Sequence, residues 1–231
     1  MITESIQHGL NLITLLAAAI TVVVGIHLIH FLSMRKVSGN FSNKWLIIFY
    51  FMAFGYALFA AGDLAWYLIF NLLKQAPGVS MPDFYWVLGS FCTLMAFGTL
   101  FFSSRIGMRS GMFLLITVAA VAITWFVVNT IIASVSVLGY YYPMVSMLVS
   151  MLSLGAYLSA RRMQIGIPLG TFVVANFCVT IADIFFSYTS FQQTYGFAGL
   201  IADLFYLAGY VLISWAFIEL SRSVRGHALG Q

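Results

Sequence analysis

Residues 45–74 read WLIIFYFMAFGYALFAAGDLAWYLIFNLLK, a run whose only acid is Asp63 and whose only base is the closing Lys74. About 20 mostly apolar residues suffice to cross the hydrocarbon of a bilayer. Only a helix satisfies its own backbone there. The run is therefore expected to be a membrane helix, long enough to tilt or to project beyond the hydrocarbon. A carboxylate inside such a helix is costly, so Asp63 is a functional candidate by default.

The stretch has a partner further along the chain. GDLAWYLIF and MPDFYWVLGS, carrying Asp63 and Asp83, correspond to ADIFFSYTS and IADLFYLAGY, carrying Asp183 and Asp203. The offset is 120 residues in both cases, without a gap. The same register matches Gly89 with Gly209, Ala96 with Ala216, Phe97 with Phe217, Leu100 with Leu220, Ser103 with Ser223 and Arg105 with Arg225.

Composition agrees with a bilayer setting. The 231 residues are 62% hydrophobic and 7% charged, against about 25% charged in soluble domains. Mean hydropathy is +1.02. Seven apolar runs long enough to span are found, at about 9–34, 45–74, 83–104, 112–134, 140–160, 168–190 and 199–221. The first is too long for the apolar core of a secretion signal and has no basic flank before it, so it reads as a span. Pro77, Pro82, Pro143 and Pro168 are expected in turns or first helical turns. Cys92 and Cys178 read as small packing residues.

The net charge of +4 reports orientation, not affinity for nucleic acid. Arg35, Lys36 and Lys44 lie between spans one and two. Arg105 and Arg109 follow span three, Arg161 and Arg162 follow span five, and Arg222 and Arg225 follow span seven. The opposite side receives only Lys74. The positive-inside rule then puts the N-terminus outside and the C-terminus in the cytoplasm. The expected fold is an all-α, seven-span membrane domain over 1–231. It has a first repeat at 9–105, a linker helix at 112–134 and a second repeat at 140–225, so that spans 1–3 match spans 5–7. An odd linker leaves both halves in the same orientation, as in parallel-repeat transporters.

All four aspartates then belong to the outer half. Asp83 and Asp203 open their helices. Ser80-Met81-Pro82-Asp83 has the form of a capping box, and Asp203 can play a similar part. Asp63 and Asp183 are mid-pattern and need hydrogen-bond donors or a proton. No lysine or arginine is deep enough to pair with them. Tyr67, Tyr85, Tyr188, Tyr206 and Tyr210 are the nearby hydroxyls, and with the four aspartates they form the candidate ligand-binding set. Binding of a small molecule, proton or cation, and plain stapling of helices, both remain open. Inward of the deep pair, Thr180 and Asn176 are polar in one half, and only Tyr56, Gly62 and alanines occur in the other. That asymmetry favours a shallow outer site.

Other residues read more simply. His27 and His30 share a face of span one but lack the further ligands zinc needs. Met144, Met147 and Met151 are expected as core, and Ser146, Ser150 and Ser153 as a close-packing stripe or a cavity wall. Glu219 and Arg222 are spaced for an i, i+3 pair. Span seven has no lysine for a retinal Schiff base. No nucleophile–base pair or phosphate loop stands out, so neither enzymatic activity nor a cofactor is expected.

Tyr141-Tyr142-Pro143, the helix ending in Arg161-Arg162, Ala182-Asp183 and Ile201–Tyr210 (IADLFYLAGY) resemble the multi-helix membrane sensor regions that precede bacterial GGDEF/EAL and histidine-kinase domains. The resemblance covers about 45–105 and 140–222. It departs at Tyr142-Pro143-Met144-Val145-Ser146, where that family often carries an acid. It implies a plasma-membrane sensor that signals toward the cytoplasm. No effector domain is recognisable up to Gln231, so a separate cytoplasmic partner, action alone and membership of a longer chain are the alternatives, with a homodimer as a further option. The rival functions are a small SWEET-like transporter, although no Pro-Gln dipeptide is present, and a structural or assembly subunit.

Overall fold

The structure is a computed structural model and describes residues 2–37, 43–73, 80–103, 110–131, 137–161, 165–192 and 196–226. Apart from a few residues at helix ends, the described residues are all helical. The helices are α1 (Ile2–Val37), α2 (Asn43–Trp66), α3 (Met81–Ser103), α4 (Ser110–Ile131), α5 (Val137–Ala160), α6 (Gly166–Gln192) and α7 (Gly196–Gly226). α2 runs on into a π-helical stretch, Tyr67–Leu72, closed by the Leu73 N–H donating to the Leu68 carbonyl at 2.9 Å. Seven helices are long and apolar enough to cross a membrane, and the chain is a multi-pass membrane protein.

The spans read from sequence coincide with these helices, but the ends differ. α1 begins at Ile2, before the expected residue 9, and α5 begins at Val137. Pro143 consequently lies inside α5, in its second turn, and not in a first turn as expected. Its ring removes the N–H that would bond the Gly139 carbonyl. Pro82 and Pro168 do fall in first turns, of α3 and α6, while Pro77 is outside the described residues. Of the basic residues behind the orientation, only Arg161 and Arg222 have described side chains.

Six of the helices close a ring. α1 packs on α2, α2 on α3, α3 on α5, α5 on α6, α6 on α7, and α7 back on α1. α4 stands outside and leans mainly on α5, and its Phe113 also meets Phe101 of α3 at 5.0 Å between ring centroids. Large apolar side chains such as Leu16, Phe54, Phe91, Leu115, Val174 and Val211 are exposed on the outer surface, where lipid replaces water as solvent. Hydroxyls on the helices are often satisfied by their own helix. Thr117 donates to the Phe113 carbonyl at 2.9 Å, and Ser159 to that of Gly155 at 2.7 Å. Back-bonding of this kind removes the cost of a hydroxyl in an apolar setting.

The ring interior is divided. Toward the end where α2 finishes and α3 begins lies a cavity. Below it Phe97, Phe172 and Phe217 are fully buried and pack edge to face, at 5.9 Å for Phe97–Phe172 and 5.2 Å for Phe172–Phe217. Tyr56 stacks on Phe172 at 6.1 Å and meets Phe217 edge-on at 5.9 Å. These rings plug the centre of the bundle.

Seams between neighbours are tight. The Cβ position of Gly89 lies 2.9 Å from the Gly55 carbonyl oxygen, and that of Gly55 lies 3.0 Å from the Gly89 carbonyl oxygen, so α2 and α3 approach closely where neither residue has a side chain. Between α1 and α7, Thr21 Oγ1 lies 2.7 Å from Ser214 Oγ and donates to the Tyr210 carbonyl at 3.1 Å.

Candidate functional site

The cavity has a volume of about 120 Å³ and takes lining residues from all six ring helices and none from α4. A water needs roughly 10–15 Å³ of such space, so several waters or a small organic molecule fit.

Asp63 sits on the cavity wall. Trp86 Nε1 of α3 donates to its Oδ1 at 2.9 Å, and the Tyr210 hydroxyl of α7 donates to its Oδ2. One carboxylate thus ties three helices together. The indole reaches Asp63 because residue 62 is glycine. A Cβ at Gly62 would lie 2.5 Å from both Cδ1 and Nε1 of Trp86. Phe186 and Tyr142 pack against the indole at near right angles, 6.0 and 5.8 Å between ring centroids.

Asp183 also lines the cavity. The Tyr206 hydroxyl of α7 donates to its Oδ1 at 2.5 Å, and Ser146 faces the same carboxylate from α5. A carboxylate accepts about four hydrogen bonds, so Asp63 and Asp183 retain acceptor capacity toward the cavity. Asp203 completes the acids of the lining. Among the described residues the lining contains no lysine, arginine or histidine.

Asp83 lies outside the cavity lining. Its Oδ2 accepts from the Ser80 backbone N–H at 2.8 Å, the reach-back of a capping box. Its Oδ1 accepts from the Tyr142 hydroxyl of α5. Tyr67, Tyr206 and Tyr210 line the cavity, whereas Tyr85 and Tyr188 do not. A helix advances about 100° per residue. Tyr67, Tyr206 and Tyr210 fall within about 60° of the cavity-lining aspartates they follow, while Tyr85 is turned about 100° from the cavity-lining Trp86 and Tyr188 about 140° from Asp183. Sequence proximity chose the last two, and helical rotation removes them.

The floor is deeper than expected from sequence. The Tyr56 hydroxyl donates to Asn176 Oδ1 at 2.8 Å across the ring, and both residues are buried. Tyr56 and Asn176 each lie seven residues inward of an aspartate, roughly 10 Å along the helix. The shallow site is therefore corrected to a cavity that reaches mid-bundle. Alone, each of these residues read as an isolated polar position; together they make one hydrogen bond.

Three lining groups have no partner among the described residues. Asn176 Nδ2, Asn11 Nδ2 and Thr14 Oγ1 are buried without a hydrogen bond. Asn11 and Thr14 are only 8% exposed. Leaving a buried polar group unbonded costs about 1–3 kcal/mol, so three around one cavity point to a missing companion. Neither Asn11 nor Thr14 stood out in the sequence, where single polar residues near the start of α1 resemble a helix end. At the mouth, the Tyr67 hydroxyl lies 3.1 Å from His8 Nε2. Tyr67 opens the π-helical stretch, a local widening often found at functional sites.

Two peripheral expectations resolve as follows. Glu219 Oε2 accepts from Thr171 at 2.9 Å, and the Arg222 guanidinium lies over the Trp215 ring at 5.7 Å, in place of the i, i+3 ion pair. The serine stripe serves both readings: Ser146 lines the cavity, while Ser150 lies 2.9 Å from Thr180 in the α5–α6 seam.

No family model matches the chain, and neither does any curated protein or solved structure.

Proposed function

We propose that the chain is a ligand-binding sensor of the plasma membrane. Its cavity faces away from the cytoplasm and its response passes to the opposite, basic end of the bundle. The observation that carries this reading is the cavity walled by six helices and floored by Tyr56 and Asn176, with three buried polar groups that lack partners among the described residues. A ligand touching all six helices shifts their arrangement by as much as its affinity differs between arrangements. The resemblance to sensor regions preceding cyclase and kinase domains agrees with this role, with a separate cytoplasmic partner or a second copy as receiver.

The 3+1+3 duplication belongs to the same proposal. In the ring α2 stands opposite α6, α3 opposite α7, and α1 opposite α5. Residues 120 apart fill equivalent places: Trp86 donates to Asp63 as Tyr206 donates to Asp183. Tyr56 bonds Asn176, the position 120 residues further on.

One observation favours transport as a second reading. A floor at mid-bundle, made by matching positions of two halves, is where parallel-repeat transporters place their sites. The two readings separate in liposomes. The purified protein is expected to bind its ligand saturably and to move none across the membrane; uptake above that of protein-free liposomes refutes the sensor role. Orientation is read by labelling Ser80→Cys and Ser223→Cys in intact cells with an impermeant maleimide. The first is expected to react and the second to stay protected, and the reverse pattern refutes the proposed topology.

A further inference from the structure

We infer that the cavity takes a small organic ammonium ion that also carries a hydrogen-bond acceptor, an inference that rests on the ligand-binding reading above. The charge balance comes first. Asp63 and Asp183 face one cavity whose described lining supplies no base. Their hydrogen bonds from Trp86, Tyr206 and Tyr210 are neutral donors, which steady a carboxylate without neutralising it. A cation entering here brings a positive charge that no described lining residue offers these two acids.

The walls select the kind of cation. Trp66, Trp86, Tyr142 and Phe186 border the same space as the acids, with Trp86 fixed between Tyr142 and Phe186. Aromatic faces attract substituted ammonium groups, whose charge is spread over methyl or methylene groups. A bare metal ion gains less here, because it requires several oxygen ligands at once and no three acids among the described residues are grouped closely enough to hold one.

The unpartnered groups select the rest of the molecule. Asn176 is buried at the floor, and its Oδ1 already accepts from Tyr56, which leaves Nδ2 as a donor. Asn11 presents a second free donor through Nδ2, and Thr14 a free hydroxyl, both on the cavity wall and more than nine-tenths buried. An oxygen acceptor on the ligand satisfies them. An amino alcohol or a comparable short ammonium compound has both features.

The test uses the full chain in nanodiscs, with tryptophan fluorescence as the readout because Trp66 and Trp86 border the cavity. The probes are choline, tetramethylammonium, the neutral carbon isostere 3,3-dimethylbutanol, sodium chloride and acetate. Choline is expected to give a saturable change. The neutral isostere should bind about tenfold or more weakly, as one lost cation–π and charge interaction implies. Tetramethylammonium, which lacks the hydroxyl, should fall between them. Asp183→Asn, which preserves an acceptor for Tyr206, should abolish the choline response while the protein still melts cooperatively. If that variant does not fold, Asp63→Asn takes its place.

Equal binding of choline and its isostere, a response to acetate, or the same response to sodium chloride alone overturns the ammonium assignment and leaves the cavity a binding site. The absence of any response to the ammonium probes also overturns the assignment. In that case Asn11→Leu decides the wider reading. A variant clearly more stable than the parent marks the cavity as a packing defect, and the sensor proposal falls with the ammonium one.

Discussion

Gly62→Ala is the substitution the geometry constrains most. The new Cβ would stand 2.5 Å from two atoms of the Trp86 indole. The ring is rigid and is boxed by Phe186 and Tyr142, so it must retreat as a unit by about 1 Å to reach ordinary contact. That displacement carries the 2.9 Å bond to Asp63 out of range. Overpacking costs about 1–3 kcal/mol, and a side-chain hydrogen bond between membrane helices contributes about 0.6–1.7 kcal/mol. Better helix propensity returns about 1 kcal/mol. The net expectation is a loss of about 1–3 kcal/mol. Gly98→Ala is the matched control, since nothing lies within 4 Å of its Cβ position; it should be neutral or stabilising by up to about 1 kcal/mol. Reversible unfolding in mixed micelles, followed by tryptophan fluorescence, measures both. The double variant Gly62→Ala, Trp86→Tyr reproduces the Ala182 and Tyr206 combination of the other half, in which a smaller ring reaches the carboxylate past a methyl group. It should recover about 1 kcal/mol or more of the loss, a coupling of ordinary size for touching residues. If Gly62→Ala proves as stable as Gly98→Ala, or the double variant is no better than the single, the reasoning about Trp86 and the equivalence of the two halves is refuted.

Two further outcomes are expected. Tyr56→Phe removes the donor to Asn176 and leaves the whole amide without a described side-chain partner; it should cost about 1–2 kcal/mol of stability, and a loss below about 0.3 kcal/mol would show that water already serves that amide. Thr21→Val preserves shape but deletes the bonds to Ala17, Tyr210 and Ser214; the same unfolding titration should report a loss of about 1 kcal/mol, and no loss would show that packing alone holds α1 against α7.

What the sequence revealed divides along physical lines. Hydropathy runs are local, so the helices were legible to within a few residues, except where α1 and α7 extend into less apolar ends. The cap at Asp83 was legible because Ser80 and Asp83 are three residues apart. The need of Asp63 and Asp183 for neutral donors followed from the absence of bases. The identity of those donors did not follow fully: Trp86 and Tyr206 lie one helix onward, whereas Tyr210 reaches Asp63 across 147 residues. Asn11 and Thr14 were invisible for a similar reason. Their place on the cavity depends on α7 closing the ring against α1, and no period in either helix encodes that closure. Tyr85 and Tyr188 were chosen by nearness along the chain, which a turn of the helix overrules.

The Tyr56–Asn176 bond has a consequence for how such a bundle acquires a preference for unsymmetrical molecules. On the proposed duplication these two residues occupy the same position of two halves and meet where the halves face each other. Two identical chains would have to place the same side chain on both sides of such a point, and any pocket built over it would be blind to the difference between a ligand's two ends. Joining the halves into one polypeptide lifts that restriction. One side becomes a phenol and the other an amide, the amide keeps a free N–H that the phenol cannot match, and the floor acquires a polarity. A molecule with a charged end and an oxygen end can then be held in one direction only, so a single substitution on the symmetry axis would turn a mirror-blind container into a receptor that tells head from tail.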